Sequence, residues 1–315
     1  MKKIRYLFEY VALRAVCGLL ILLPYRLALG VAWGLAWLGH WVARYRVRSV
    51  RARLRSVLGP ALSDADVRRL AWRAWRHFFF SLVDLIRVAN TPVEQLRART
   101  RESSNVLFLA ERAKSGKGGI IVSIHMGAWE MVPKLSAPYG IRLFTIAAAQ
   151  KNPWVNAYLA RLRAGTGFET LQRGAFSVKS VLARIKKGEF LAMLVDVRQR
   201  HPDIEVDFLG GRANVSSSAA TFARHCGVPI VPFVMTRLGW TRHEYRLFEP
   251  IWPDAAANKE SDIQRMTQEV FTLFDRCIRE QPDQYFWFNK RWILDPLRPP
   301  VTEGVAPDGS GAACA

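Results

Sequence analysis

The run Ile120-Ile121-Val122-Ser123-Ile124 constrains the fold more than any other stretch of the chain. Its β-branched residues, uninterrupted by charge, predict a strand buried on both faces, and such a strand needs helices above and below it. From there strand and helix patterns alternate. Strands are predicted at 143–149, 168–171, 190–197 and 228–235, with helices at 152–164, 177–187 and 216–226 between them. This alternation predicts an α/β fold with a mostly parallel central sheet flanked by helices. Residues 204–208 and 243–250 read as further strands at an edge or in a hairpin, and 261–280 as a long amphipathic helix. Upstream, 62–90 carries helix signals, with Ser63 as N-cap and Asp64 and Asp66 in the first turn.

The central strand delivers His125 at its C-terminal end, just before Gly127 and a helix-like stretch that carries Glu130. Open α/β sheets place their chemistry at such strand ends. Within one continuous helix, residues five apart sit roughly 140° from each other at about 100° per residue, so His125 and Glu130 cannot pair that way. With His125 ahead of the helix, Glu130 is expected to curl back to an imidazole nitrogen, fix its tautomer and raise its basicity. The pair would then form a general base with an orienting acid. The amides around Gly127 are candidate donors to an oxyanion. Ser123 precedes His125 by two and no cysteine lies near, so a direct attack without an acyl-enzyme is expected.

Charge bounds the partners. The 315 residues hold 46 Lys and Arg against 26 Asp and Glu, a formal charge of +20, which implies an anionic partner such as nucleic acid, anionic lipid or a phosphorylated substrate. Half of the residues are hydrophobic, which excludes global disorder. Cys17, Cys226, Cys277 and Cys314 are scattered without metal-binding spacing and read as reduced thiols. The Gly-rich turn at 115–119 lacks the phosphate-loop spacing.

Three regions are expected. Residues 1–55 hold two apolar stretches separated by Pro24-Tyr25-Arg26 and followed by Arg44, Arg46, Arg48, Arg51, Arg53 and Arg55. Each stretch is shorter than the ~20 residues that span a bilayer comfortably. A membrane-lying helical hairpin or re-entrant anchor, one true span, and a buried helical pair all stay open. Trp33, Trp37 and Trp41 share one helical face, which suits a bilayer interface as well as a core. Residues 56–297 form the α/β domain, and 298–315, rich in Pro, Gly and Ala, form a disordered tail.

The motifs together resemble the late acyltransferases of lipid A biosynthesis, within the wider glycerophosphate and lysophospholipid acyltransferase group. The resemblance rests on the N-terminal apolar segment, the His125 to Glu130 block, Asn152-Pro153 followed by Arg161-x-Arg163, and Lys187-Gly188-Glu189 leading to Asp196. It continues through Phe208-Leu209-Gly210, the block Val228 to Pro232, and the ending Gln281 to Trp287 with Lys290-Arg291-Trp292. Family members often carry Asp-Gln where this chain has Asp196-Val197-Arg198-Gln199, and His-Arg-Arg where it has Asn289-Lys290-Arg291.

The resemblance implies a membrane-bound enzyme at the cytoplasmic face of the cell inner membrane. It would move a fatty acyl chain from acyl carrier protein or CoA thioester to a hydroxyl of a glycolipid, with no cofactor beyond that co-substrate. A lipid A precursor is the leading acceptor; a lysophospholipid, ornithine lipid or mannolipid keeps the same chemistry. His125 and Glu130 would be catalytic. Arg161 or Arg163 would grip a phosphate of the acceptor or of the donor's phosphopantetheine. Asp196 ends a buried strand and is a second functional acid or a capping carboxylate, and Arg212 is a further phosphate contact. A non-catalytic basic protein binding membrane or nucleic acid is the contrasting reading. The densest arginine run abuts the apolar segment and no nucleic-acid motif occurs, so no nucleic-acid partner is expected.

Overall fold

A computed structural model describes residues 2–103, 105–172 and 177–294. The tail expected from 298 onward lies outside them. In chain order the elements are helices α1 (Lys2–Leu22) and α2 (Tyr25–Trp37), a π-helical turn Leu38–Val42, α3 (Val47–Leu58), α4 (Asp64–Val88) and α5 (Val93–Arg97). Strand β1 (Thr100–Glu102), α6 (Val106–Lys114), β2 (Gly119–Ser123), α7 (Val132–Ser136), β3 (Leu143–Ala147), α8 (Pro153–Ala164), β4 (Glu169–Gln172), α9 (Val178–Lys186) and β5 (Phe190–Leu194) follow. The rest are β6 (Ile204–Phe208), β7 (Gly211–Val215), α10 (Ser218–Cys226), β8 (Ile230–Leu238), β9 (Arg242–Leu247) and α11 (Lys259–Glu280).

The expected α/β architecture is what the chain adopts. Seven strands form one sheet in the order β1-β9-β8-β2-β5-β3-β4, and β2 pairs in parallel with both β5 and β8. All of β2 is buried, and its residues alternate between two cores: Ile120 and Val122 pack with Val181, Ile185 and Val234, while Ile121 packs with Leu135, Val231 and Phe233. The strand at 243–250 is real but runs antiparallel to β8 inside the sheet, with β1 outside it. The strand at 204–208 pairs with β7 in a separate antiparallel hairpin. β1, α6 and β7 are short and carry no distinct signal, whereas α3 is a clear amphipathic helix, with Val47, Val50, Leu54 and Val57 buried at helical spacing, inside the stretch read only as a basic block.

The helix caps follow the sequence. Ser63 accepts the Asp66 amide at 3.2 Å and starts α4, and Asn152 accepts the amides of Trp154 and Val155 to start α8. The N-terminal helices pack on this frame: Ala28, Leu29 and Ala32 of α2 meet Phe80 and Val83 of α4, and Cys17 of α1 meets Tyr158 and Leu162 of α8. Among the described residues no helix is long and apolar enough to cross a membrane. The expectation of a spanning segment is therefore corrected, because α1 spends part of its length on charged residues and α2 has only 13 residues. Both helices still expose large apolar side chains, with Phe8 at 75% and Leu22 at 84%.

Candidate active site

The register of two adjacent strands assembles the site. β2 and β5 are parallel, with Ser123 opposite Leu194, so His125 and Asp196 each lie two residues past the last matched pair. The Asp196 carboxylate then binds His125 twice, accepting its backbone amide at 3.0 Å and meeting ring Nδ1 at 2.7 Å. An ionised carboxylate only accepts, so Nδ1 carries the proton and Nε2 is left with its lone pair. Asp196 is buried, while the His125 side chain keeps 22% of its surface exposed. Burial disfavours the charged ring, but the charge and hydrogen bond of Asp196, with Glu130 further off, prevail and raise the His125 pKa above its ordinary value. Tyr285, wholly buried beside Asp196, has its phenol pushed well up by burial and by that negative charge.

The ring nitrogen expected to meet Glu130 is thus paired with Asp196. The physical reason is the turn at Gly127, whose φ of +60° reverses the chain. A Cβ there would lie 1.9 Å from the Met235 carbonyl oxygen, so only glycine fits. Glu130 lands on a 3-10 turn, Trp129–Met131, where Arg163 of α8 takes both its oxygens, Nη2 at 2.6 Å and Nε at 3.2 Å. The expected oxyanion donors near Gly127 are also spent: the Gly127 amide donates to Gln284 O, Ala128 to Met235 O and Met126 to Ile124 O.

His125, Glu130 and Arg163 line one cleft of about 410 Å³. Its polar side adds Thr145 and Gln150; its apolar side is Ile121, Leu143, Ile146, Phe168, Leu194 and Phe233. Trp129 stands edge-on to the imidazole at 5.2 Å between ring centroids, and Phe286 lies at 6.0 Å. Phe286 also donates its amide to the His125 carbonyl at 2.9 Å, so the aromatic segment after α11 buttresses His125. Among the described residues no serine or cysteine lines the cleft; Ser123 is buried and donates to Phe233 O at 2.8 Å.

Other expected contacts fall elsewhere. Arg161 is exposed on the other side of α8 from Arg163, as a spacing of two on a helix demands. Arg212 sits on the β6–β7 hairpin, paired with Asp207 at 3.1 Å and Glu205 at 3.7 Å, and does not line the cleft. Gly127 holds the left-handed turn after the strand. What the residue-by-residue reading missed was the pairing of Asp196 and the buttress from Tyr285 and Phe286. The signal for the first was present, since both acid and base end buried parallel strands.

A part-exposed histidine with one nitrogen held by a buried acid, on an α/β sheet beside an apolar cleft, is an arrangement able to support acid–base chemistry. The chain belongs to the family of bacterial lipid A biosynthesis acyltransferases, whose profile it matches over residues 1–293. It is thus an acyltransferase, with an acyl thioester as donor and a lipid as acceptor in general terms. No curated protein matches the chain.

Proposed function

We propose that the chain transfers a fatty acyl group from acyl carrier protein or CoA thioester to a hydroxyl of a lipid A precursor at the cytoplasmic face of the inner membrane, with His125 as general base. The acceptor hydroxyl gives its proton to Nε2 as its oxygen bonds to the thioester carbonyl carbon. The tetrahedral intermediate then expels the thiolate, which takes the proton back from the imidazolium. Asp196 holds the ring and stabilises its charged form throughout. The apolar wall of Ile146, Phe168, Leu194 and Phe233 suits the acyl chain. Arg163, fixed by Glu130, offers charge toward an anionic group of either substrate. The exposed apolar faces of α1 and α2 suit a protein lying in a bilayer surface rather than spanning it.

The observation that carries this reading is the free Nε2 of His125 opening into a cleft with an apolar wall, while Nδ1 is held by Asp196. The test offers labelled acyl carrier protein and CoA donors of several chain lengths, separately, to a tetra-acylated lipid A precursor. The expected result is one labelled product lipid from wild type and none from His125→Ala. Undiminished product from the variant would refute the role of His125.

A further inference from the structure

A second cavity stands apart from the cleft and from the acyl-transfer reading. It is formed where the π-helical turn Leu38–Val42 leads into α3. Its volume is about 710 Å³, and its walls are His40, Trp41, Val47 and the arginines Arg44, Arg46, Arg48, Arg51 and Arg68. Among the described residues no carboxylate lines it. Among the described residues none of the five arginines forms an ion pair, and Arg46 makes one hydrogen bond, to the Phe288 carbonyl at 3.1 Å. The Arg51 Nε is buried without a partner. His40 is 1% exposed, and neither ring nitrogen has a hydrogen-bond partner.

Guanidinium groups stay charged, so five around one space repel each other unless an anion joins them. A buried imidazole left without partners is likewise costly unless a ligand supplies one. Guanidinium forks match the oxygens of a phosphoryl group, and the imidazole N–H adds a donor from the cavity floor. The surroundings indicate how that group arrives. Trp41 is both a wall of the cavity and 44% exposed, and Trp37, Leu38 and Val42 beside it are 44%, 50% and 60% exposed. A polar cavity rimmed by exposed tryptophan and aliphatic side chains is the arrangement of a bilayer interface.

We propose that this arginine-walled cavity binds the phosphoryl headgroup of an anionic lipid, with the lipid's chains lying along the exposed face that bears Trp37 and Trp41. Such binding would also brace the site of chemistry. Arg53 of α3 donates to the carbonyls of Trp287, at 2.6 Å, and Asn289, at 2.9 Å, in the segment whose Phe286 holds His125.

The test is co-sedimentation of the full chain with phosphatidylcholine vesicles carrying either phosphatidic acid or, at matched surface charge, phosphatidylglycerol. The proposal expects tighter binding to phosphatidic acid, which presents a phosphomonoester. It expects a roughly tenfold or greater loss in Arg44→Gln/Arg48→Gln, both exposed side chains, and separately in Arg51→Gln. Arg142→Gln/Arg276→Gln removes the same charge from exposed positions elsewhere and should bind as wild type. Equal losses in this control pair, equal binding to the two headgroups, or unchanged binding by both cavity variants would overturn the proposal. Displacement from the vesicles by inorganic phosphate at matched phosphoryl concentration would overturn the lipid as its source.

Discussion

His125 and Asp196 meet at 2.7 Å in the cleft, with Arg163 close by on Glu130. Behind it, His243 of β9 and Asp84 of α4 meet at 3.4 Å, with Arg237 of β8 on the same carboxylate and the Tyr25 hydroxyl donating to it at 2.6 Å. Both clusters hold a histidine, an aspartate and an arginine. In the second, His243 and Arg237 have side chains 1% exposed and Asp84 3%, and burial, which alone would raise the Asp84 pKa, is outweighed by Arg237 and His243, which hold it low. Asp84 meets Arg237 and Tyr25 and so ties α2, α4 and the sheet together, while the cluster borders a small cavity of about 130 Å³ and neither His243 nitrogen is hydrogen-bonded among the described residues. In the first, the arginine goes to a different acid, the histidine is part-exposed, and one of its nitrogens faces open space. What separates the two clusters is therefore exposure: the His125 side chain is 22% exposed on a cleft of about 410 Å³, whereas that of His243 is 1% exposed.

That contrast can be broken at either cluster. The largest expected effect is His125→Ala, which should lower acyl transfer by roughly 10²–10⁴-fold while lowering the melting temperature less than Asp84→Ala does, because Asp196 keeps the backbone amide of residue 125. Asp84→Ala should do the reverse. It strands buried Arg237, so unfolding free energy should fall by roughly 3–5 kcal/mol and the melting temperature by on the order of 10 °C, with transfer per folded molecule unchanged. Normal stability in that variant would show that the second cluster is not a structural tie.

Asp196→Asn keeps the shape of the acid and removes its charge. Transfer should fall by on the order of 10²-fold, measured as kcat/KM across pH. The base works only when neutral, so the wild-type rate rises as pH climbs through the raised His125 pKa. Without the carboxylate charge that pKa falls, and the acidic limb moves to lower pH. The same raised pKa has a stability counterpart. The His125–Asp196 contact contributes fully below the ordinary histidine value of about 6.5 and is lost as pH rises through the folded-state value. Glu130→Gln should cost about tenfold, mainly as a higher KM, because Arg163 loses its fixed position while the base stays intact. Arg212→Gln, on the exposed hairpin, should change stability by less than about 0.5 kcal/mol and transfer not measurably; a tenfold loss would bring the hairpin into the site.

Much of this was written locally. The β-branched run at Ile120, the caps at Ser63 and Asn152, and the alternation after Ile120 each depend on neighbours a few residues away, and each appears in the fold where the pattern puts it. The same holds for His125, since a residue just past a buried strand has few places to go. The partner of His125 was not local. Glu130 was the nearest acid in the chain, yet the left-handed turn at Gly127 carried it toward Arg163. Asp196 reached the ring from 71 residues away.

The amino-acid sequence by itself determined the layered α/β class, the strand that carries the base, and the basic, apolar character of the first helices. Only the tertiary structure decided which acid meets His125, which arginine faces the cleft and which amides around Gly127 are already bonded. Periodicity is a property of neighbours along the chain, whereas those choices depend on the register between β2 and β5 and on the approach of Met235 and Gln284 to the Gly127 turn.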